Sequence, residues 1–225
     1  MEVKLFFMKS IMDNSEFVHW TTFLLPYKFA LDEIQTKINI LKEEAKYLVN
    51  YDPIEHVKVR LKTPDSIIEK LKRKGLPVNF STSETHLSDI AGVRIICSFV
   101  SDIYYIYELI SKHKDLKIIE VKDYIKNPKP NGYQSFHLIV EKPVFLSNGT
   151  KHVKAEIQIR TLAMDFWAST EHKIFYKYEK EIPDYLKADL KEAADLVKDL
   201  DRKMKNVHDE IKQIDSSLKD ILMPS

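Results

Sequence analysis

This sequence predicts an α/β (α+β) fold: a mixed central β-sheet flanked by helices, with long helices at the N- and C-terminal ends. Three observations carry that reading. Between Ile54 and Tyr178 the apolar pattern switches repeatedly between a period of two and a period near 3.6. Ahead of that stretch, Leu31, Ile34, Ile38, Leu41, Ala45 and Leu48 are three or four apart, one stripe of an α-helix. Behind it, Leu186, Leu190, Ala193, Val197, Leu200, Met204, Val207, Ile211, Ile214, Leu218 and Ile221 alternate four and three over five heptads. Such a stripe marks a helix that packs along its length on another helix.

These patterns divide the 225 residues into an N-terminal helical segment (1–50), a central domain (51–180) and a C-terminal heptad helix (181–225). In the central domain Val57–Lys62 alternates strictly, which places Lys58, Arg60 and Lys62 on one face of a strand. Thr63-Pro64-Asp65 starts a helix: a hydroxyl N-cap, proline at the first helical position, then an acid. This helix carries Lys70, Arg73 and Lys74 and ends at Gly75, suited to the left-handed C′ position. Gly92–Phe99 reads as a buried strand, Ser101 as the cap of a helix Asp102–His113, and Leu116–Val121 as a strand. After a loop come a strand Tyr133–Glu141, an Asn148-Gly149 turn, a strand Val153–Arg160 and a helix from about Leu162 to Tyr178. For the C-terminal stripe, packing on the N-terminal helix and self-assembly stand as equal alternatives.

Hydrophobic residues at 44% and charged residues at 31% describe a globular chain rather than a disordered one. A net charge of +1 excludes a global polyanion binder such as a general DNA-binding protein, so any basic function is local. The single cysteine, Cys97, lies in an apolar run and is expected as a small buried hydrophobe. No apolar run has the length of a membrane span, and Met1–Met12 is too short and too charged for a secretory signal, so a cytoplasmic location is expected. None of the eight histidines shows a metal-ligand spacing, and His208-Asp209 reads as helix surface.

Sorting the strands by face exposes the chemistry. Tyr133, Ser135 and His137 share one side of their strand; Glu156, Gln158 and Arg160 share one side of theirs. A strand buried for stability alone does not need such a polar row. Arg94 stands among aliphatics, costly unless it meets an anion, a ring or a carboxylate. The segment His56–Lys74 holds seven Lys/Arg against two acids. Cations on a strand and on the next helix converge on one end of a sheet, a site for several phosphates that suits a nucleotide better than a polymer. The plain alternative is a solvated basic face. Asp89 and Glu156, both at strands on the polar side, would offer two hard oxygen ligands for Mg²⁺. Asn131-Gly132-Tyr133 is a tight turn that presents a stacking ring and an amide able to read a base edge, although a core tyrosine would satisfy the same pattern.

At these residues the sequence resembles the synthetase domain of the RelA/SpoT-type alarmone synthetases, specifically the small stand-alone class. The matching stretches run from Arg60-Leu-Lys62-Thr-Pro-Asp-Ser66-Ile-Ile-Glu-Lys70 through Asp89-Ile-Ala-Gly-Val-Arg94-Ile to Lys129-Pro-Asn131-Gly-Tyr133-Gln-Ser-Phe-His137. Glu156-Ile-Gln158-Ile-Arg160-Thr and Met164-Asp-Phe-Trp167-Ala-Ser-Thr-Glu-His172 complete them, in family order. The resemblance implies a nucleotidyltransferase-like synthetase domain that transfers pyrophosphate from ATP to the ribose 3′-hydroxyl of GDP or GTP, giving (p)ppGpp and AMP. It implies that Arg60 and Arg94 sandwich the adenine, and that Lys62, Ser66, Lys70 and Arg73 hold the ATP phosphates. Asp89 and Glu156 would bind Mg²⁺, with Glu156 the base for the 3′-hydroxyl. Tyr133 would stack on guanine with Asn131 near its edge, Lys129 and His137 would contact acceptor phosphates, and Gln158 and Arg160 would support them. A homotetramer built by the flanking helices is implied too, as is synthesis without hydrolysis and without direct activation by a stalled ribosome. The choice among GDP, GTP and GMP, and regulation by (p)ppGpp or RNA, stay open. A non-catalytic nucleotide- or RNA-binding module is the alternative reading, for which Asp89 and Glu156 would be dispensable; a scaffold built for the heptad helix alone would leave the polar rows unexplained.

Overall fold

The computed structural model describes residues 14–176 and 182–222. Helix α1 (Asn14–Val49) is one rod of 36 residues that begins well before Leu31. Its early turns bury rings, Trp20, Phe23 and Tyr27, instead of an aliphatic stripe, and Pro26 sits inside it. Proline removes one helical hydrogen bond. Packing of the rings outweighs that loss, with Phe80 stacked on Phe23 at 4.6 Å. Leu31, Ile34, Ile38, Leu41 and Ala45 are buried as the stripe requires, whereas Leu48 is 82% exposed.

Five strands, β1 (His56–Leu61), β2 (Ala91–Cys97), β3 (Lys117–Asp123), β4 (Phe136–Leu146) and β5 (Gly149–Thr161), form one sheet in the order β1-β2-β5-β4-β3. β2 and β5 run parallel and every other pair antiparallel, so the sheet is mixed. Strand β4 starts at Phe136, not at Tyr133, because the preceding residues close a loop instead. The Lys129 N–H donates to the Tyr133 carbonyl at 3.2 Å and the Tyr124 N–H to that of Ser135 at 3.0 Å. The hairpin ladder reaches Leu146 opposite Gly149. Its turn is therefore Ser147-Asn148, one residue earlier than expected, and Gly149 (φ +132°) opens the strand.

Helix α2 (Pro64–Arg73) is capped by Thr63, whose hydroxyl accepts the Ser66 N–H, and it ends as expected at Gly75 with φ +67°. A short α3 (Phe80–His86), absent from the elements expected from sequence, is capped by the Asn79 side chain at 2.8 Å. In α4 (Val100–Ser111) the cap comes from Asp102, not Ser101. The Asp102 carboxylate accepts the Phe99 N–H at 3.1 Å and the Tyr51 hydroxyl at 2.8 Å. Helix α5 (Leu162–Tyr176) follows β5, and the expected end at Tyr178 lies outside the described residues, as does Met1–Met12. His172 is exposed on α5.

The main core joins α1, α2 and α4 to one face of the sheet through Val93, Ile95, Leu138, Val140, Ile157 and Ile159. Cys97 is fully buried there, and burial pushes its thiol far up. The last helix, α6 (Asp184–Leu222), rests on α5 through Trp167, Ala168 and Ala194, with the Trp167 indole donating to the Leu190 carbonyl at 3.0 Å. Ala193 and Val197 of its heptad stripe pack against that cluster and Leu190 is half-buried, whereas Leu186, Leu200, Met204, Val207, Ile211 and Ile214 are exposed; the side chains of Leu218 and Ile221 lie outside the described residues. His208 stacks on Phe99 with ring centroids 4.4 Å apart. No helix among the described residues is long and apolar enough to cross a membrane.

Candidate active site

Strand β5 separates core from chemistry by alternation. Val153, Ala155, Ile157 and Ile159 are buried on one side, and Glu156, Gln158 and Arg160 project from the other. The parallel ladder sets Glu156 opposite Gly92 and Gln158 opposite Arg94, and the antiparallel ladder sets His137 opposite Gln158. Strand β1 lies beyond β2, with Lys58 opposite Arg94 and Arg60 opposite Gly92. Residues from three strands and the turn before β2 thus line one cleft of about 310 Å³: Lys58, Arg60, Lys62, Asp89, Arg94, Glu156 and Gln158. The basic strand face predicted from sequence is here, together with both acids.

Asp89 is the hub of the cationic side. Its Oδ2 accepts from Lys62 Nζ at 2.7 Å and from Lys70 Nζ at 2.6 Å. Burial pushes the Asp89 carboxyl up, but the two lysine hydrogen bonds and their charges outweigh it and hold it below the usual carboxylate range. Burial, aided by the Lys70 and Arg60 charges, lowers Lys62 in spite of its partner. Asp89 Oδ1 is buried with no hydrogen-bond partner. A carboxylate oxygen in that state is costly unless a cation or donor meets it. Ser66, Lys70 and Arg73 follow one another down a single face of α2. Lys70 reaches Asp89, Ser66 Oγ accepts from the Thr63 hydroxyl at 3.0 Å, and Arg73 is exposed in the last turn, outside the cleft lining.

Glu156 is held from two sides. His137 Nδ1 lies 3.1 Å from Oε1, and Gln158 Nε2 donates to Oε2 at 2.9 Å. Burial raises the Glu156 carboxyl, yet the hydrogen bond and charge of His137 and the bond from Gln158 outweigh that, against a smaller opposing push from Asp89. The net direction is downward, so Glu156 is an ionised acceptor at neutral pH.

Arg94 meets a carboxylate, as its cost demands: Nη1 lies 3.2 Å from Asp165 Oδ1 on the first turn of α5. Its Nε is buried without a partner. The Tyr133 hydroxyl bonds His137 Nε2 at 2.9 Å and accepts from Arg160 Nη2 at 2.6 Å. Lys129 Nζ sits 4.8 Å from the centroid of the Tyr133 ring and 4.9 Å from that of Tyr124, a cation between two π faces. The Asn131 carbonyl accepts the Tyr133 N–H at 3.2 Å while its amide donates to Glu171 at 3.1 Å. The acceptor-side residues named from sequence are therefore together, but His137 and Lys129 are engaged by protein groups. Sequence reasoning gave no role to Asp165, Tyr124 or Glu171. Asp165 had a local signal, an acid one turn after a strand-end arginine, but nothing showed that it faces two arginines.

A family model described as "Region found in RelA / SpoT proteins" matches residues 59–181. The chain is 50% identical over 204 residues to GTP pyrophosphokinase YwaC of Bacillus subtilis, covering 91% of this chain and 95% of that protein. It superposes on the crystal structure of small alarmone synthetase 2 from Bacillus subtilis with TM-score 0.77 and 53% identity, over 85% of this chain and 98% of that one. Small alarmone synthetase 1 from the same organism, bound to its product pppGpp, gives TM-score 0.81 and 41% identity over 86% and 98%. With the family match, the superposition and the sequence identity in agreement over most of its length, this chain belongs to the RelA/SpoT family, among the small alarmone synthetases.

Proposed function

We infer that this cleft is where pyrophosphate passes from ATP to the ribose 3′-hydroxyl of GDP or GTP, releasing AMP. The chain is a GTP pyrophosphokinase that makes (p)ppGpp. The observation that carries the site assignment is the convergence of Asp89 and Glu156 on one cleft, with cations on one side and the Tyr133 turn on the other. Arg60 and Arg94 flank the adenine with their guanidinium planes. Lys62, Ser66 and Lys70 take the ATP phosphates, with Arg73 at the outer end of the same helical face. Both lysines rest on Asp89 before any nucleotide arrives, so they are ordered in advance.

Mg²⁺ fits the two acids: the orphaned Oδ1 of Asp89 and the ionised Glu156 are hard oxygen donors, and the substrate phosphates complete the usual shell. The ion would neutralise charge on the phosphates. Glu156 accepts the 3′-hydroxyl proton. Tyr133 stacks on guanine, Asn131 lies near its edge, Lys129 turns to the acceptor phosphates, and His137 borders them from its place between Glu156 and Tyr133, with Gln158 and Arg160 in support. Such a transfer needs mainly positioning and charge neutralisation, which these groups supply. The exposed stripe of α6, continuous with an apolar groove of about 640 Å³ lined by Leu162, Phe166, Leu196 and Leu200, supports assembly into a homo-oligomer, a tetramer in our reading. The enzyme works in the cytoplasm, where its nucleotides are.

Purified protein mixed with ATP, GDP or GTP and Mg²⁺ should form AMP together with a guanosine tetra- or pentaphosphate. No AMP with any acceptor or divalent metal would overturn the reading.

A further inference from the structure

The two oxygens of Glu156 are held by two different arms that return to one residue. On the first, Gln158 Nε2 donates to Glu156 Oε2 at 2.9 Å while Gln158 Oε1 accepts from Arg160 Nη2 at 2.9 Å. On the second, His137 Nδ1 meets Glu156 Oε1 at 3.1 Å, His137 Nε2 meets the Tyr133 hydroxyl at 2.9 Å, and that hydroxyl accepts from Arg160 Nη2 at 2.6 Å. The ring is closed, and Arg160 is its hinge. The guanidinium is also fixed from behind: Nη1 pairs with Asp165 Oδ1 at 3.0 Å and Nε donates to Ser135 Oγ at 3.3 Å.

The chemistry of the two ends sets the direction of the second arm. Guanidinium can only donate and an ionised carboxylate can only accept. With the imidazole neutral, Tyr133 receives from Arg160 and passes its single hydroxyl proton to His137 Nε2, which leaves Nδ1–H to face Glu156. A neutral imidazole with the opposite tautomer would put a bare nitrogen against the carboxylate.

We propose that Arg160, clamped by Asp165, is a positioning residue that holds both oxygens of Glu156 through these arms and fixes the Nδ1–H tautomer of His137. This rests on Glu156 being the base of the reaction. Asp165 serves both nucleotide subsites at once, since the same Oδ1 that holds Arg160 also holds Arg94.

The test has two readouts. In metal-free, ligand-free wild-type protein at alkaline pH, ¹⁵N spectra of the His137 imidazole should show Nδ1 protonated and Nε2 bare, and Tyr133→Phe should lose that fixed pattern. A wild-type imidazole protonated at Nε2 would overturn the proposal. In turnover, Tyr133→Phe keeps the ring but cuts one arm, and Arg160→Lys cannot reach both. Each should lower kcat about 10- to 100-fold, the usual cost of removing a group that orients a reactive one, while the KM of the guanosine acceptor moves less than about threefold. The double variant should lose little beyond Arg160→Lys alone; fully multiplicative losses would overturn the shared-arm scheme. The imidazole spectrum needs no turnover, so it decides the positioning role even if the wild-type protein made no AMP, a failure that would bear on the activity alone.

Discussion

In the proposed reaction Glu156 and Tyr133 carry different halves of the chemistry, and single substitutions separate them. Glu156→Gln keeps the shape and the acceptor for His137 but cannot take a proton. It should lower kcat by about 10²- to 10⁴-fold, the usual share of a general base, while ATP still binds. Single-turnover kinetics and an ATP titration check both halves, and turnover within tenfold of wild type would remove Glu156 as base. Tyr133→Ala removes the stacking ring and should weaken the acceptor by about 1–3 kcal/mol in calorimetric titration. Comparison with Tyr133→Phe separates ring from hydroxyl: the hydroxyl carries the hydrogen bonds to Arg160 and His137, while the ring keeps its contact with the Arg160 guanidinium 5.2 Å from its centroid. At this scale the sequence was legible wherever a period of two sorted polar from apolar, as on β5, where Glu156, Gln158 and Arg160 fell on one face. It was silent on Asp165, because a carboxylate that serves Arg94 on β2 and Arg160 on β5 is defined by the register between strands, which no local pattern encodes.

Two of the places where helix α6 meets the rest of the chain have consequences of their own. Gly132, at φ +87° in the acceptor turn, faces α6 so closely that an added Cβ would lie 2.5 Å from the Ala194 Cβ. Gly132→Ala is therefore strained in backbone and packing alike. It should cost more than about 1 kcal/mol of stability and raise the acceptor KM with ATP binding intact, as read by thermal unfolding and steady-state kinetics. Asp201 is the second contact: it is buried and accepts the Thr161 hydroxyl at 2.7 Å, while Thr161 in turn accepts the Met164 N–H at the start of α5. Burial pushes the Asp201 carboxyl up, and the Thr161 bond offsets that only in part. Its folded-state pKa thus exceeds its unfolded one, the folded protein binds the extra proton, and stability falls as pH rises through that window. Asp201→Asn keeps an acceptor for Thr161 and never ionises. It should unfold at a higher temperature than wild type at neutral pH, with the gap closing as pH falls below about 4; a gap independent of pH would refute the assignment. The heptads made α6 legible as a helix, but these contacts were not, since Gly132 and Ala194 are small residues whose importance lies in how near the backbones come.

As a whole molecule the chain buries one face of its sheet under α1, α2 and α4, builds its site on the other, and sends out a helix of 39 residues, about 58 Å long at 1.5 Å per residue. Of the two fates open to the heptad stripe, packing on the N-terminal helix is not what the described residues adopt: α6 leans on α5 through Ala194 with Ala193 and Val197 of the stripe, and leaves the stripe from Leu200 to Ile214 exposed. Met204 is 52% and Ile214 60% exposed, in line with Leu200, Val207 and Ile211 between and before them. At about 25 cal/mol per Å² a continuous row of such side chains represents several kcal/mol that only another surface can recover. A second copy offers a matching row at the same spacing, and closed symmetric pairing is the commonest way for a chain to use one. Light scattering should therefore give the wild type a mass above one chain. Leu200→Glu with Met204→Glu, which puts charge in mid-stripe without touching the cleft, should return it to a single chain. If the wild type is already monomeric at micromolar concentration, or the double variant keeps the assembled mass, the stripe is not the interface. Because the acceptor turn rests on the same helix through Gly132, loss of assembly should act on acceptor KM before it acts on ATP affinity, and measuring both on the double variant tests whether assembly and acceptor binding share α6.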